Sequence, residues 1–335
     1  MVEMRPNSNR LAVVFGGSGF IGRHIVRELA RQGWRVRVAV RRPDLANFLQ
    51  PLGGVGQILA VQANLRYPAS VEAALAGADA VVNATGIQRP TGRQNFEAVH
   101  VFGPREIARA AAKAGIPILV HVSGIGADAQ SANAYIASKG RGEAEVRAAF
   151  PAAIVLRPSV VFGPEDDFFN RFAALARVLP ALPLFGGGES KMQPVFVGDV
   201  AKAAGAALAG VAKPGVTYEL GGPEVMNLRQ IVEYVLQSVE RRRALIRLPF
   251  GVSRVLARGT EIASALTLGV FPPALTTTRD QIDLLRADNL VSAGATAEGR
   301  TLQGLGIAAQ GVEAIVPSYL YRFRKTGQYA SSRPA

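Results

Sequence analysis

The chain has 335 residues, enough for one large domain or two modest ones with ample core. A hydrophobic content of 49% and a charged content of 19% exclude a disordered chain, and the absence of cysteine excludes disulfides, thiolate metal sites and thiol nucleophiles. With 38 Lys and Arg against 25 Asp and Glu the formal net charge is +13, which suits nucleic acid, anionic lipid or an acidic protein surface. No nucleic-acid motif with interleaved aromatics accompanies that charge, so no nucleic-acid partner is expected. His24, His100 and His121 are scattered, so no metal site is expected either. No apolar run reaches the length of a membrane span, and residues 1–10 are too short and polar for a signal or transit peptide. The chain therefore reads as a soluble, cytoplasmic-side protein.

Leu11 to Phe15 is a short apolar, β-branched run that predicts one buried parallel strand. Gly16, Gly17, Ser18, Gly19, Phe20, Ile21 and Gly22 follow, with glycines at 16, 19 and 22, and apolar residues then recur at helical intervals through Leu29. Strand, glycine turn and helix in that order form a phosphate cradle. Gly16 takes the tight turn, Gly19 admits a pyrophosphate to the backbone, and Gly22 lets the helix pack on the strand. Dinucleotide binding is the reading.

Arg35 to Val40 alternates into a second strand and ends at Arg41 and Arg42. A carboxylate about 20 residues past the glycines would bind a ribose 2′-hydroxyl. Here two guanidiniums stand there instead, which favours NADP(H) over NAD(H). Ile58 to Gln62 predicts a third strand, after which Asn64 would bond the adenine and Leu65 pack on it. A helix opens at Val71, and Ala80 to Asn83 predicts a fourth strand closing on Ala84, Thr85 and Gly86, which would line the ribose next to the nicotinamide. A helix from about Phe102 to Ala114, a fifth strand from Ile118 to Ser123, a helix from Ala134 to Phe150 and a sixth strand from Ile154 complete the first half.

Beyond Pro158 proline and glycine become frequent and the elements are interrupted. The whole predicts an α/β protein with a Rossmann-type doubly wound parallel sheet and a smaller, discontinuous C-terminal α/β lobe. The expected organisation is an N-terminal arm (1–10), an NADP-binding domain (11–163), a C-terminal lobe (mainly 164–328, with 193–220 returning to the sheet) and a mobile tail (329–335).

Tyr135 and Lys139 lie four apart, hence on one helix face, and Ser123 ends the preceding strand. With the glycine turn and the stretch Arg157-Pro158-Ser159-Val160-Val161-Phe162-Gly163-Pro164, they resemble the extended short-chain dehydrogenase/reductase superfamily over about residues 11–240. The resemblance implies that Tyr135 is a general acid/base, that Lys139 lowers its pKa and holds the nicotinamide ribose, and that Ser123 polarises a substrate oxygen. It further implies that Pro158, Ser159 and Val160 touch the carboxamide. His100 departs from that pattern: the superfamily usually has an asparagine there, supporting the proton relay.

A narrower set of stretches, around Arg41 to Leu45, Gly163 to Phe172 and Gln193 to Val200, resembles the NADPH-binding accessory subunit of respiratory complex I, in a bacterial version. That resemblance implies a tightly held dinucleotide in a structural or regulatory role, on the peripheral arm close to the membrane and the quinone site. Its partners would be other complex I subunits, and its location the cytoplasmic face of the bacterial inner membrane, peripherally bound. Residues 240–271 interleave Arg241, Arg242, Arg243, Arg247, Arg254 and Arg258 with apolar residues, a pattern for an anionic membrane surface or an acidic partner groove. Tyr319 to Lys325 repeats the flavour. The stretch from Glu165 to Phe172 reads equally as lobe core or partner contact. The alternative reading is a free-standing NADP-dependent reductase, epimerase or dehydratase acting on a sugar nucleotide or small carbonyl substrate; a redox-sensing regulator of transcription is a third.

Overall fold

Strand β1 (Leu11–Phe15) is wholly buried and pairs in parallel with β2 (Arg35–Val40) on one side and β4 (Ala80–Asn83) on the other. β1 and β4 are buried on both faces because helices cover both faces of the sheet, whereas β2 interleaves Arg35 and Arg37 with buried Val36 and Val38. The computed structural model describes residues 9–266, 278–325 and 327, the side chains of 261–266 excepted. The parallel sheet has seven strands in the order Thr217–Leu220, β6 (Ile154–Pro158), β5 (Ile118–Val122), β4, β1, β2, β3 (Ile58–Gln62). The strand order reverses between β1 and β4, which opens a crevice at their carboxyl ends.

One face of the sheet carries α2 (Pro68–Leu75), α3 (Gly103–Lys113) and α4 (Ala134–Ala149), with Val13, Phe15, Val81, Ile107, Leu119 and Val146 in a common core. On the other, α1 (Phe20–Arg31) is a strongly amphipathic helix that buries Ile25, Val26 and Leu29. It packs on the helix Val197–Leu208, where a Cβ on Gly205 would lie 2.3 Å from Gln32 Nε2.

The chain divides into two compact units, of which this sheet unit comprises residues 1–158, 197–220 and 291–308. The second comprises 159–196, 221–290 and 309–335. It pairs Ala181–Phe185 in parallel with Ala244–Leu248 and packs the helices Phe169–Val178 and Leu228–Ser238 around Phe162, Phe169, Leu182, Ile231 and Val235.

Several sequence readings shift here. The strands fall where the apolar runs place them, and Thr217–Leu220 pairs with β6 as the seventh. Val195–Phe196 does not return to that sheet; it forms a separate two-residue ladder with Val161–Phe162, while Val197–Leu208 is a helix. Residues 291–308, read from sequence as lobe, lie in the first unit, where Arg300 Nη1 donates to the Thr217 carbonyl and the Ser292 amide to Glu219.

In the stretch from Glu165 to Phe172, Phe169 and Phe172 are buried in the lobe core and the Asp166 carboxylate accepts from the amides of Gly163, Phe168 and Asn170 and from the Tyr319 hydroxyl, while Glu165 and Asp167 are exposed. The described part of residues 240–271 holds the strand Ala244–Leu248 followed by the helix Phe250–Leu266. Within it Arg241 donates to the Phe323 carbonyl and Arg243 to that of Ala176, so these two cations clamp the lobe to itself. Tyr319 and Leu320 are buried, Arg322 donates to Asn170, and Arg324 donates to the Ser238 carbonyl. Residues 267–271 and the tail 329–335 lie outside the described residues, as do residues 1–8 of the arm.

Candidate functional site

The glycine turn is built by contact that leaves no room for side chains. Gly16 has φ +73°, a left-handed conformation, and a Cβ on Gly22 would lie 2.1 Å from the Gly16 carbonyl oxygen. Only a bare helix start can come that close to β1. Gly19 is the N-cap of α1 and offers no side chain to the helix's first N–H groups, and the first turn holds no acidic residue.

Above this turn lies a cavity of about 250 Å³ at the carboxyl ends of β1 to β4. Of the residues predicted from sequence, Gly16, Ser18, Gly19, Arg41, Asn64, Leu65, Ala84, Thr85 and Gly86 line it. Gly17, Phe20, Ile21 and Gly22 form the turn and helix start next to it. Arg42 is not among the lining residues: its guanidinium pairs with Asp44 at 2.9 Å, both side chains being exposed. Two arginines that the sequence reading passed over, Arg66 and Arg93, line the cavity instead. The only signal in the sequence is for Arg66, which stands shortly after β3; Arg93 lies in the loop beyond β4 with no local signal. The lining contains three guanidiniums and no carboxylate, a wall suited to an extended polyanion.

The turn after β4 is held from below. Asn83 Oδ1 accepts from the Thr85 amide and hydroxyl, while its Nδ2 donates to His121 Nδ1 at 3.1 Å on the neighbouring strand. His121 is therefore protonated on Nε2, which is buried and has no hydrogen-bond partner among the described residues. Burial, with Lys139 and Arg147 nearby, pushes the His121 pKa down to about 3. Ser123, two residues on, also has a buried hydroxyl without a partner among the described residues. Such an atom in a folded protein marks a place where a ligand or water supplies the missing bond.

α4 brings Tyr135, Ser138 and Lys139 to this region. Asn133 caps it by accepting from the amides of Tyr135 and Ile136, and Arg157 on β6 anchors it through a bidentate pair with Glu143 at 2.9 and 2.7 Å. Gly142 lets the helix touch the π-helical turn Glu97–Phe102, because a Cβ there would sit 1.9 Å from the His100 carbonyl oxygen. Lys139 is buried, and its ammonium faces Gly86, 3.5 Å from where a Cβ on that glycine would stand. Desolvation lowers its pKa to about 8 despite the opposing pull of Glu143. Burial raises the Tyr135 pKa, and its ring packs edge-on against Phe96 and His100.

His100 is buried and fully engaged. Its Nε2 accepts from the Ile87 amide at 3.1 Å, and its Nδ1 lies 2.9 Å from Ser138 Oγ. Desolvation and then the Lys139 charge hold it neutral, with a pKa of about 2. Of the residues matched to the carboxamide, Pro158 ends β6, while Ser159 and Val160 belong to the second unit. There the Ser159 hydroxyl contacts the Asn289 carbonyl oxygen at 2.9 Å. Among the described residues no group of three His, Asp or Glu could hold a metal ion, and no helix is long and apolar enough to cross a membrane.

The chain is similar to known proteins in sequence and in fold. The mitochondrial NADH dehydrogenase (ubiquinone) 1 alpha subcomplex subunit 9 of Arabidopsis thaliana is 32% identical over 96% of this chain and 79% of its own length. The ceramide reductase of Caulobacter vibrioides is 33% identical over 59% of this chain and 61% of its own. In fold, the UDP-glucose 4-epimerase of Thermotoga maritima superposes with a TM-score of 0.66 at 17% identity, covering 94% of this chain and 99% of that one. Residues 12–221, from the first strand past the seventh, match a single family description, and on that match the chain belongs to the NAD dependent epimerase/dehydratase family.

Proposed function

We propose that the chain holds NADPH in its sheet unit and serves as an accessory subunit of a respiratory NADH:ubiquinone oxidoreductase, without turnover of its own. The observation that carries the accessory role is the likeness to an NADH dehydrogenase subunit along 96% of the chain. For the cofactor, the support is a cavity with three guanidiniums, no carboxylate and a glycine-only phosphate turn. The glycine turn and the α1 N-terminus would receive the pyrophosphate. Asn64 Oδ1 is occupied by the Arg66 amide, which leaves Nδ2 to donate to the adenine, with Leu65 against its face. Ala84, Thr85 and Gly86 would back the ribose, and Lys139 would hold its hydroxyls.

NADPH supplies a hydride when it reacts with an acceptor. The surrounding residues argue for holding rather than spending it. Tyr135 is pushed away from the phenolate by burial, and His100 has both ring nitrogens committed to the protein, so it cannot hand on a proton as a relay. The proposed setting is the peripheral arm near the membrane and quinone site, on the cytoplasmic face of a bacterial inner membrane. In the second unit Val252, Val255 and Leu256 stand exposed beside Arg254 and Arg258, a mixture suited to anionic lipid or an acidic partner.

A second reading, a free-standing NADP-dependent reductase, epimerase or dehydratase, has its own support. Ser123, Tyr135 and Lys139 are all retained, the Ser123 hydroxyl lacks a partner, and one relative is a ceramide reductase. Native fractionation decides between the two. Migration with the membrane NADH dehydrogenase, with NADPH content unchanged in Tyr135→Phe, is expected. A free oligomer whose NADPH oxidation vanishes in Tyr135→Phe would establish the second reading.

A further inference from the structure

Arg41 and Arg66 reach the same cavity from adjacent strands. Arg41 directly follows β2, and Arg66 lies four residues past the end of β3; the two strands pair with Val40 opposite Gln62. Paired strands lie about 4.8 Å apart, so the two side chains leave neighbouring strand ends. The turn that carries Arg66 is fixed three ways. The Tyr67 amide donates to the Asn64 carbonyl, the Arg66 amide donates to Asn64 Oδ1, and Ser70 Oγ bonds both the amide and the carbonyl of Asn64. Neither Arg41 nor Arg66 has a side-chain hydrogen bond or ion pair among the described residues, whereas Arg42 is already neutralised by Asp44. Arg93, the third guanidinium of the lining, comes from the long loop between β4 and the turn Glu97–Phe102.

We infer that Arg66, and not Arg42, completes with Arg41 a two-guanidinium clamp for a ribose 2′-phosphate, making Arg66 a specificity-determining residue. The inference rests on the NADPH reading above and refines it. A phosphate monoester near neutral pH carries close to two negative charges and three acceptor oxygens, enough for a fork from each side. A free 2′-hydroxyl offers neither guanidinium a comparable partner. The clamp thus discriminates through charge while the rest of the cavity treats both dinucleotides alike.

The test titrates the purified full chain with NADPH and NADH, and with 2′,5′-ADP and 5′-AMP as probes of the adenosine end alone. The wild type is expected to favour the 2′-phosphorylated partner of each pair by at least about tenfold. Arg66→Ala and Arg41→Ala should each remove roughly tenfold of the NADPH affinity while leaving NADH within about twofold, and Arg42→Ala should leave both within about twofold. All three side chains are exposed, and unchanged melting temperatures confirm folding. Arg66→Ala without effect on the NADPH preference, or Arg42→Ala matching Arg41→Ala, overturns the clamp. A wild type that binds NADH as tightly as NADPH overturns it too, while leaving a dinucleotide site in place. A wild type that binds neither overturns the reading on which it rests.

Discussion

His100 and Ser138 share a hydrogen bond of 2.9 Å whose direction is set by their other partners. The Ser138 hydroxyl donates its single proton to the Tyr135 carbonyl at 2.7 Å, so it accepts from His100 Nδ1–H. His100 Nε2 is then the acceptor for the Ile87 amide. The imidazole is a fixed strut between α4 and the turn after β4. His100→Ala leaves the Ile87 amide without an acceptor and opens a void beneath Phe96, which stacks on the ring at 5.4 Å. Urea unfolding should report a loss of about 3 kcal/mol, and affinity for the proposed NADPH should fall because Gly86 and Ile87 line the cavity. A loss under about 0.5 kcal/mol would mean that the strut carries no load.

The two buried histidines give the stability an acid-sensitive component. His100 falls to about 2 and His121 to about 3, against an ordinary value of 6.5. Because the folded state binds these protons less readily than the unfolded chain, their contribution is complete above pH 6.5 and is lost as the pH falls toward the folded values. Each histidine should contribute a slope of about 1.4 kcal/mol per pH unit below that point. Unfolding at pH 7.5, 6.5 and 5.5 measures it. His121→Gln is expected to shed part of the slope, and an unfolding free energy flat across this range contradicts the assignment.

In the second unit Asp166 and Tyr319 join segments 153 residues apart through a buried bond of 2.7 Å. Tyr319→Phe removes the one side-chain donor among four donors to the carboxylate and should cost about 1–3 kcal/mol; Asp166→Ala strands all four and should cost more. Both effects are read by unfolding, and NADPH binding to the sheet unit should persist. Equal, negligible losses in the two variants would show that the bond is dispensable.

Val255 is 72% exposed on the helix Phe250–Leu266, next to Arg254 and near Arg258. If this face meets anionic lipid, Val255→Asp should reduce co-sedimentation with phosphatidylglycerol vesicles at least severalfold while leaving the melting temperature unchanged. Retained sedimentation in that variant would direct attention to a protein partner instead.

Much of the chain declared itself in advance. Strands covered on both faces are largely apolar, so β1 and β4 stand out in the sequence, β2 shows as an alternation of Arg35 and Arg37 with valines, and the glycines at 16, 19 and 22 permit close backbone approach that other residues forbid. Arg41 was legible for the same local reason: it directly follows a recognisable strand. What local pattern could not fix was partnership between distant residues. Only the folded chain brings Arg66 to the cavity, sets His100 between Ile87 and Ser138, and turns Arg241 and Arg243 inward onto carbonyls of the lobe. Apolar periodicity encodes which face of an element is buried. The partner of a long polar side chain depends on which donors and acceptors the tertiary fold leaves within its reach.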